Sequence, residues 1–352
     1  MSMQNKKPRF MQLPRSVLVG RDSIEKVNFI CRDLGLGGKA LVVSDPTTYE
    51  VAGKRVSEVL GEEHEVEVET VRVASLEEVE NVKKLVSGKE ITFIAGVGGG
   101  SVIDVAKLAA KESSIEFLSI PTAASHDGIA SSRASLKRQG GTVSISARAP
   151  LGVIADTEII RRSPYRLTAS GCGDIVAKFT AVADWELGRL KNGEEYSEYA
   201  AALSIMTAKI VADSSSLIMK KSEEGIRRVV KALISSGVAM SIAGSSRPGS
   251  GSEHKFSHAL DILAPKPALH GEQCGVGAIM MMKLQGGSWE EIMDVLKRIG
   301  APTTARELGI EPEIIVSALT KAHEIRPERY TILGDGLTKE EAIDLASSTG
   351  VI

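Results

Sequence analysis

The chain has 352 residues, enough for about two domains if a domain takes roughly 100–200 residues. Hydrophobic residues make up 43% and charged residues 25%, so a packed core can form and a largely disordered chain is excluded. The formal net charge of −2 leaves no basic footprint for nucleic acid and no polybasic membrane patch, and small-molecule chemistry becomes the expectation.

The first half alternates strand-like and helix-like segments. Ser16–Val19 is a short apolar run, and Ser23–Leu34 has helical spacing. Lys39–Ser44 reads as a buried strand, Thr48–Leu60 as a helix and Glu65–Val73 as an alternating strand. Leu76–Val86 is a predicted helix, Ile91–Val97 a buried strand, Ser101–Lys111 a helix and Ile115–Ile120 a strand. A Ser-, Gly- and Arg-rich stretch (123–148) carries a Gly140–Gly141 turn between two strands. Leu151–Ala155 closes the series. This order implies βαβ units and a mostly parallel sheet, covered on both faces because its strands are continuously apolar.

After Pro164 helical periodicity takes over, in Tyr165–Leu187, Ser197–Ala212, Glu224–Ala243, Ser252–Leu263 and Gly271–Gln285, with shorter helices beyond. Pro164 suits the first turn of a helix. The expectation is an α/β domain (1–163) followed by an all-α domain (164–352).

The N-terminal MSMQNKKPRFMQLPRS has no apolar h-region and does not read as a secretory signal. No run reaches the length of a transmembrane helix. Cys31, Cys172 and Cys274 are odd in number and widely spaced, which argues against a disulfide framework and fits a reducing cytoplasm. The apolar helices suggest a homo-oligomer.

Gly96-Val97-Gly98-Gly99-Gly100-Ser101 lies between a buried strand and a helix. Glycines there let a backbone approach a pyrophosphate, and the helix start offers free N–H groups. The bare alternative is a tight strand–helix turn. The loop is not GxGxxG and follows a late strand, so a simple Rossmann order is not what the chain displays. Asp45, at the end of an earlier strand, can bind a ribose hydroxyl or cap a turn before Pro46. Asp104 in the first turn after the loop reads as a structural complement to the helix dipole.

Of six histidines, His254, His258 and His270 fall within 17 residues. His254 and His258 share a helix face, and a two-helix hairpin can return His270 beside His254. Histidine and carboxylate ligands suit Zn²⁺, and three protein ligands leave a position open for substrate. Asp174, flanked by Gly173 in an apolar helical stretch, can be the third ligand. A hydrogen-bonded histidine cluster and a helix cap are the alternatives. His64 and His323 read as surface residues.

GVGGGSVIDVAK (96–107), IPTAASHDGIAS (120–131), SGCGDIVAK (170–178), SEHKFSHAL (252–260) and LHGEQCGVG (269–277) occur in this order. Together they resemble the iron-containing alcohol dehydrogenase, glycerol dehydrogenase and dehydroquinate synthase superfamily. SHDGIAS and SEHKFSHALD carry a narrower likeness to archaeal-type sn-glycerol-1-phosphate dehydrogenases, from about residue 10 to the C-terminus.

The resemblance implies a catalytic cleft between the two domains. It places Gly99, Gly100, Ser101, Val102 and Ile103 on the cofactor pyrophosphate, and Thr122, Ala123, Ala124, Ser125 and Ser131 along the cofactor. Asp174, His254 and His270 match catalytic metal ligands. Asp127, Asp174 and His258 match substrate contacts. The implied cofactors are Zn²⁺ and NAD(H) or NADP(H), and the implied reaction reduces dihydroxyacetone phosphate to sn-glycerol 1-phosphate for archaeal-type ether lipids. Iron-type members carry a further histidine four residues after the aspartate; Lys178 stands there and favours three-ligand zinc.

Asp45 leans towards NAD, while Thr47 and Thr48 tolerate a 2′-phosphate, leaving that choice open. Lys255, Arg133 and Lys137 are possible phosphate contacts, none singled out. The competing readings are a glycerol or other alcohol dehydrogenase, a dehydroquinate synthase-like lyase, and a nucleotide-binding regulatory protein without catalysis.

Overall fold

The computed structural model describes residues 11–138 and 141–352. The turn expected at Gly140–Gly141 falls partly outside the described residues, as does most of the N-terminal stretch weighed as a signal.

Strands β1 (Ser16–Gly20), β2 (Lys39–Ser44), β3 (Glu65–Thr70), β4 (Ile91–Gly98), β5 (Glu116–Pro121) and β8 (Gly152–Asp156) form one sheet in the order β1-β8-β5-β4-β2-β3. Every pairing in it is parallel. Between β3 and β8 in sequence lie the predicted pattern's irregular strands, β6 (Arg133–Arg138) and β7 (Gly141–Ser146), paired antiparallel as a separate ribbon.

Period-two alternation explains the layering. In β2, Ala40 and Val42 join a core with Val27, Leu34, Val56 and Leu60 on one face. Leu41 and Val43 face the opposite side, where they meet Val102, Val105 and Ala106 of a helix and, further on, the helical remainder of the chain. One hydrophobic cluster thus runs from the sheet into the helices, and the groups between them sit on a shared, close-packed support.

The helices that build the site are labelled here in chain order: α1 (Gly100–Glu112), α2 (Tyr165–Val176), α3 (Lys178–Asn192), α4 (Glu223–Ala243), α5 (Ser252–Leu263) and α6 (His270–Leu284). The single helix expected over Tyr165–Leu187 is two. Ala177, at φ −59 and ψ −13, marks the junction, although Ala177 N–H still donates to Gly173 and Ala181 N–H to Ala177. The strand expected to reach Val73 stops at Thr70, and the helix expected from Thr48 begins at Pro46 under an Asp45 cap. No helix of the described residues is long and apolar enough to cross a membrane.

Helix α2 is rich in glycine, which weakens an isolated helix by about 1 kcal/mol per residue. Close packing is the compensation: a Cβ on Gly173 would lie 2.3 Å from the Gly271 carbonyl oxygen at the start of α6. Gly173→Ala is therefore expected to destabilise the protein by about 1–3 kcal/mol in denaturant unfolding. Gly88→Ala, where a Cβ meets nothing within 4 Å, is expected to be neutral or to stabilise by about 0.4–1 kcal/mol. Equal effects of the two would contradict the packing account.

Candidate active site

In the sheet the chain leaves β2 towards β3 on one side and β4 towards β5 on the other. Ligand clefts form at such a switch point, beyond the carboxyl ends of the strands. The glycine loop closes β4 there, with Gly99 as the N-cap of α1. A Cβ on Gly100 would lie 1.8 Å from His126 Nε2, so the absence of a side chain lets that imidazole seat against the helix start. His126 Nδ1 accepts from Gly128 N–H at 2.9 Å, which leaves the other ring nitrogen facing the loop.

Behind the loop, Asp104 and Lys107 of α1 pair at 3.1 Å. Asp104 also accepts from Ser135 N–H at 2.9 Å, and Lys107 donates to the carbonyls of Gly128 and Arg133 at 2.6 Å each. This buried pair staples the β6–β7 ribbon to the loop's helix; Asp104 lies beyond the first turn expected of it, and its role is this pairing rather than a complement to the helix dipole.

On the helical side, α5 and α6 form the hairpin that the histidine spacing allows. The His254 and His270 rings are 4.9 Å apart, and the His258 and His270 rings 5.9 Å. Helix α2 brings Asp174 Oδ1 to 3.7 Å from His254 Nε2. His254 Nδ1 lies 2.8 Å from Glu253 Oε1, which fixes the ring with Nε2 towards Asp174. Glu253 is itself held by Gly251 N–H at 2.7 Å and by the Thr180 hydroxyl at 2.8 Å. His270 Nδ1 lies 3.2 Å from Ser257 Oγ.

Lys178 is fully buried and bridges two acids, Asp174 Oδ1 at 2.7 Å and Asp127 Oδ2 at 2.9 Å. It also donates to the Gly249 carbonyl at 3.1 Å. Asp127 is further held by the Ser236 hydroxyl at 2.7 Å, and its N–H donates to Asp174 Oδ2 at 3.1 Å.

Burial pushes Lys178 down, but Asp127 and Asp174 more than reverse this and hold it above its ordinary pKa. Burial pushes Asp174 up, and Lys178, His254 and His270 together hold it below the carboxylate range. Burial, followed by the Lys178 charge, lowers His254 to about 3; burial, followed by His254, lowers His270 to about 3. Both imidazoles are therefore neutral near pH 7, with lone pairs available to a cation.

That donor set fits a divalent metal. The ligand atoms of His254, His270 and Cys274 lie within 4.8 Å of one another, and Asp174 adjoins them through His254. Burial, then Asp174, pushes the Cys274 thiol well above its ordinary pKa in the absence of a cation.

Two clefts meet at this point. Asp127, Ser131, His254, His258 and His270 line the first, together with Arg133 and Arg326. Gly99, Gly100, Ser101, Ala123 and Ser125 line the second, of about 710 Å³, which shares His126, His258 and His270 with the first. The remaining residues of the expected cofactor set stand elsewhere. Val102, Ile103, Thr122 and Ala124 are buried behind the cleft wall. The Ile103 N–H is already spent on Gly99 O at 3.1 Å. Ser131 falls in the first cleft rather than the second. Asp45 follows β2, one strand from β4, and caps a helix by accepting from Thr47 and Thr48 N–H at 2.9 and 2.8 Å.

Sequence reasoning missed four residues. His126, Glu253, Cys274 and Arg326 enter the site without having been assigned to it, and Lys178 had been read only as a missing histidine. An acid directly before His254 was the available signal for Glu253. Arg326 had none.

A profile described as iron-containing alcohol dehydrogenase matches residues 18–164. A Methanosarcina mazei protein named glycerol-1-phosphate dehydrogenase [NAD(P)+] is 58% identical over 98% of this chain and 97% of its own. A Methanothermobacter thermautotrophicus protein of the same name is also 58% identical, over 98% of this chain and 99% of its own. Among solved structures, glycerol dehydrogenase from Schizosaccharomyces pombe superposes with a TM-score of 0.80 at 20% identity, covering 97% of this chain and 90% of that one. Sulfoacetaldehyde reductase from Bifidobacterium kashiwanohense, in complex with NAD+, gives 0.77 at 16%, covering 97% and 98%. The structural likenesses establish the fold.

The depressed histidines give the metal-free protein a characteristic acid response. An unfolded imidazole titrates near 6.5 while the folded ones titrate at about 3, so the unfolded chain takes up protons first. Their contribution to stability is complete above about pH 6.5 and is lost as the pH falls towards 3. Asp184, raised to about 6 by burial and then Glu253, is protonated earlier in the folded state and partly offsets this. In chelator-treated protein the urea midpoint is expected to fall from pH 7 to pH 4.5, with about one proton less uptake in His254→Asn. A flat wild-type profile would contradict the buried neutral imidazoles.

Proposed function

The chain belongs to the glycerol-1-phosphate dehydrogenase branch of the iron-containing alcohol dehydrogenase family, and from that premise we propose that it reduces dihydroxyacetone phosphate to sn-glycerol 1-phosphate with NADH or NADPH. The observation that carries the reading is the meeting of His254, His270, His258 and Asp127 in a cleft that adjoins the glycine loop, with Asp174 buried against His254.

Asp174, His254 and His270 would hold Zn²⁺. Two neutral imidazoles and one carboxylate suit that ion, and Lys178 occupies the position from which a fourth ligand would come. Gly99, Gly100, Ser101, Ala123 and Ser125 would line the dinucleotide, with Asp45 beside the ribose. When bound, the dinucleotide supplies the hydride and the metal polarises the carbonyl.

The chain's own residues provide orientation, and orientation accounts for much of such catalysis. Lys178 fixes Asp174 and Asp127 relative to each other, so a substrate hydroxyl held on Asp127 is placed at a set distance from the metal ligands. His258 lines both clefts with Nδ1 facing Asp261 Oδ2 at 3.6 Å, and the imidazole so oriented would pass a proton to the substrate oxygen directly or through water. Glu253 and Ser257 hold the other two rings in register.

We assign the product to the glycerophosphate backbone of archaeal-type ether lipids. Three free thiols, all buried, accord with a reducing cytoplasm. Exposed Leu190, Tyr199 and Met206 support a self-association face on the outer helices.

Following NADH oxidation with dihydroxyacetone phosphate, together with product chirality, tests the reading. One NADH is expected to be consumed per molecule of sn-glycerol 1-phosphate. Chelation is expected to cost about 10³-fold in rate, with Zn²⁺ restoring it. Faster turnover of dihydroxyacetone than of its phosphate would point to a glycerol dehydrogenase. Turnover without net NADH consumption would point to a lyase.

A further inference from the structure

The first cleft contains more positive charge than its own carboxylates neutralise. Lys107 offsets Asp104, and Lys178 is shared between Asp127 and Asp174, so the two arginines of the cleft still leave a surplus of positive charge. Arg133 and Arg326 line the same cleft, half-buried, and neither makes an ion pair with a carboxylate among the described residues. Arg133 uses Nε and Nη2 on the Ser144 hydroxyl and carbonyl at 3.1 and 2.8 Å, which aims the guanidinium without neutralising it. Arg326 has no side-chain hydrogen bond among the described residues.

We propose that Arg133 and Arg326 form an anion subsite that receives the phosphate of a phosphorylated ketone whose carbonyl lies at Asp174, His254 and His270. The assignment rests on the reaction proposed above and names the group that the notable charge surplus of this cleft is built to meet.

Three further observations support it. Arg326 adopts a left-handed backbone, φ 50, which is unfavourable for a non-glycine residue. The segment just after it is anchored to the helical side. Ile332 N–H donates to Asp184 at 2.7 Å, Arg247 to the Tyr330 carbonyl at 2.8 Å and Arg329 to the Ser246 hydroxyl at 2.9 Å. Arg326 is thus presented from an anchored turn on the helical side, opposite Arg133 on the ribbon.

The like charges also act on each other. Burial and then Arg326 hold Arg133 below its ordinary pKa, and burial does the same to Arg326, with Glu328 opposing. A dianion between the two guanidinium groups would relieve both desolvation and repulsion, and a phosphate offers the oxygen geometry that a guanidinium fork matches.

Inorganic phosphate is the probe, titrated with the dinucleotide cleft saturated by NADH so that the glycine loop cannot take it. Charge-assisted hydrogen bonds of this kind set the scale at roughly ten- to a hundredfold each. Arg326→Ala and Arg133→Ala are each expected to weaken phosphate binding by that factor, and to cut the preference for dihydroxyacetone phosphate over dihydroxyacetone by a similar one. Arg326→Lys is expected to recover part of both. NADH fluorescence titration of each variant confirms a folded cofactor cleft.

Wild-type phosphate affinity and substrate preference retained in both alanine variants would overturn the subsite. So would an equal loss on the two ketones, since that is what general disruption of the cleft produces. If the wild type binds phosphate through these arginines yet reduces both ketones equally well, the subsite stands and the phosphorylated-ketone reading falls.

Discussion

A single buried ammonium holds the two halves of this active site in register. Lys178 reaches Asp174 on its own helical stretch and Asp127 on the loop after β5, and it takes the Gly249 carbonyl ahead of α5 as a third partner. Breaking a buried pair by deleting one partner typically costs about 3–5 kcal/mol, because the charge left behind has no solvent. The three groups are therefore bound into one unit. The Asp127 loop belongs to the sheet side, Asp174 to the helical side, and the Gly249 segment leads into the histidine helix. The one cation offsets the charge of both acids.

The rest of the cleft follows from that constraint. Glycines in α2 and at the start of α6 let two backbones approach until Gly173 and Gly271 touch, which brings Asp174 beside the histidine hairpin. A core shared between the sheet and the helices leaves little freedom for the cleft walls to drift. Glu253 and Ser257 then orient His254 and His270, and desolvation keeps both rings neutral and able to act as ligands. The glycine loop, seated against His126, opens on the same space from the opposite wall. Distance from water and distance from one another thus have a common origin in tight backbone packing.

Much of this was legible in the residues themselves. Strands alternating with amphipathic helices point to the parallel sheet, and the spacing of His254, His258 and His270 allows the hairpin that α5 and α6 form. The strand order was not legible, because periodicity carries no information about which strands pair. The split of α2 from α3 escaped because Ala177 is a good helix former and the hydrogen-bond ladder runs through it. Lys178 read as the absence of a histidine, since a lone lysine in an apolar stretch does not reveal which carboxylates will surround it. Arg326 stands among ordinary surface charges in the sequence, and only the anchored turn brings it to the cleft. Asp45 was left between a ribose contact and a cap, and the cap is what its hydrogen bonds display.

The central claim is that Asp174, rather than the neighbouring Cys274, completes the metal site with His254 and His270. Cys274 Sγ lies 3.6 Å from His270 Nε2, so proximity alone does not decide between them. The absorption spectrum of the cobalt(II)-substituted protein does, because a thiolate ligand produces an intense near-ultraviolet charge-transfer band and a carboxylate does not. The expected spectrum has ligand-field bands in the visible and no such charge-transfer band, is unaltered in Cys274→Ser, and is abolished in Asp174→Asn. A thiolate band that disappears in Cys274→Ser and survives in Asp174→Asn would contradict the account.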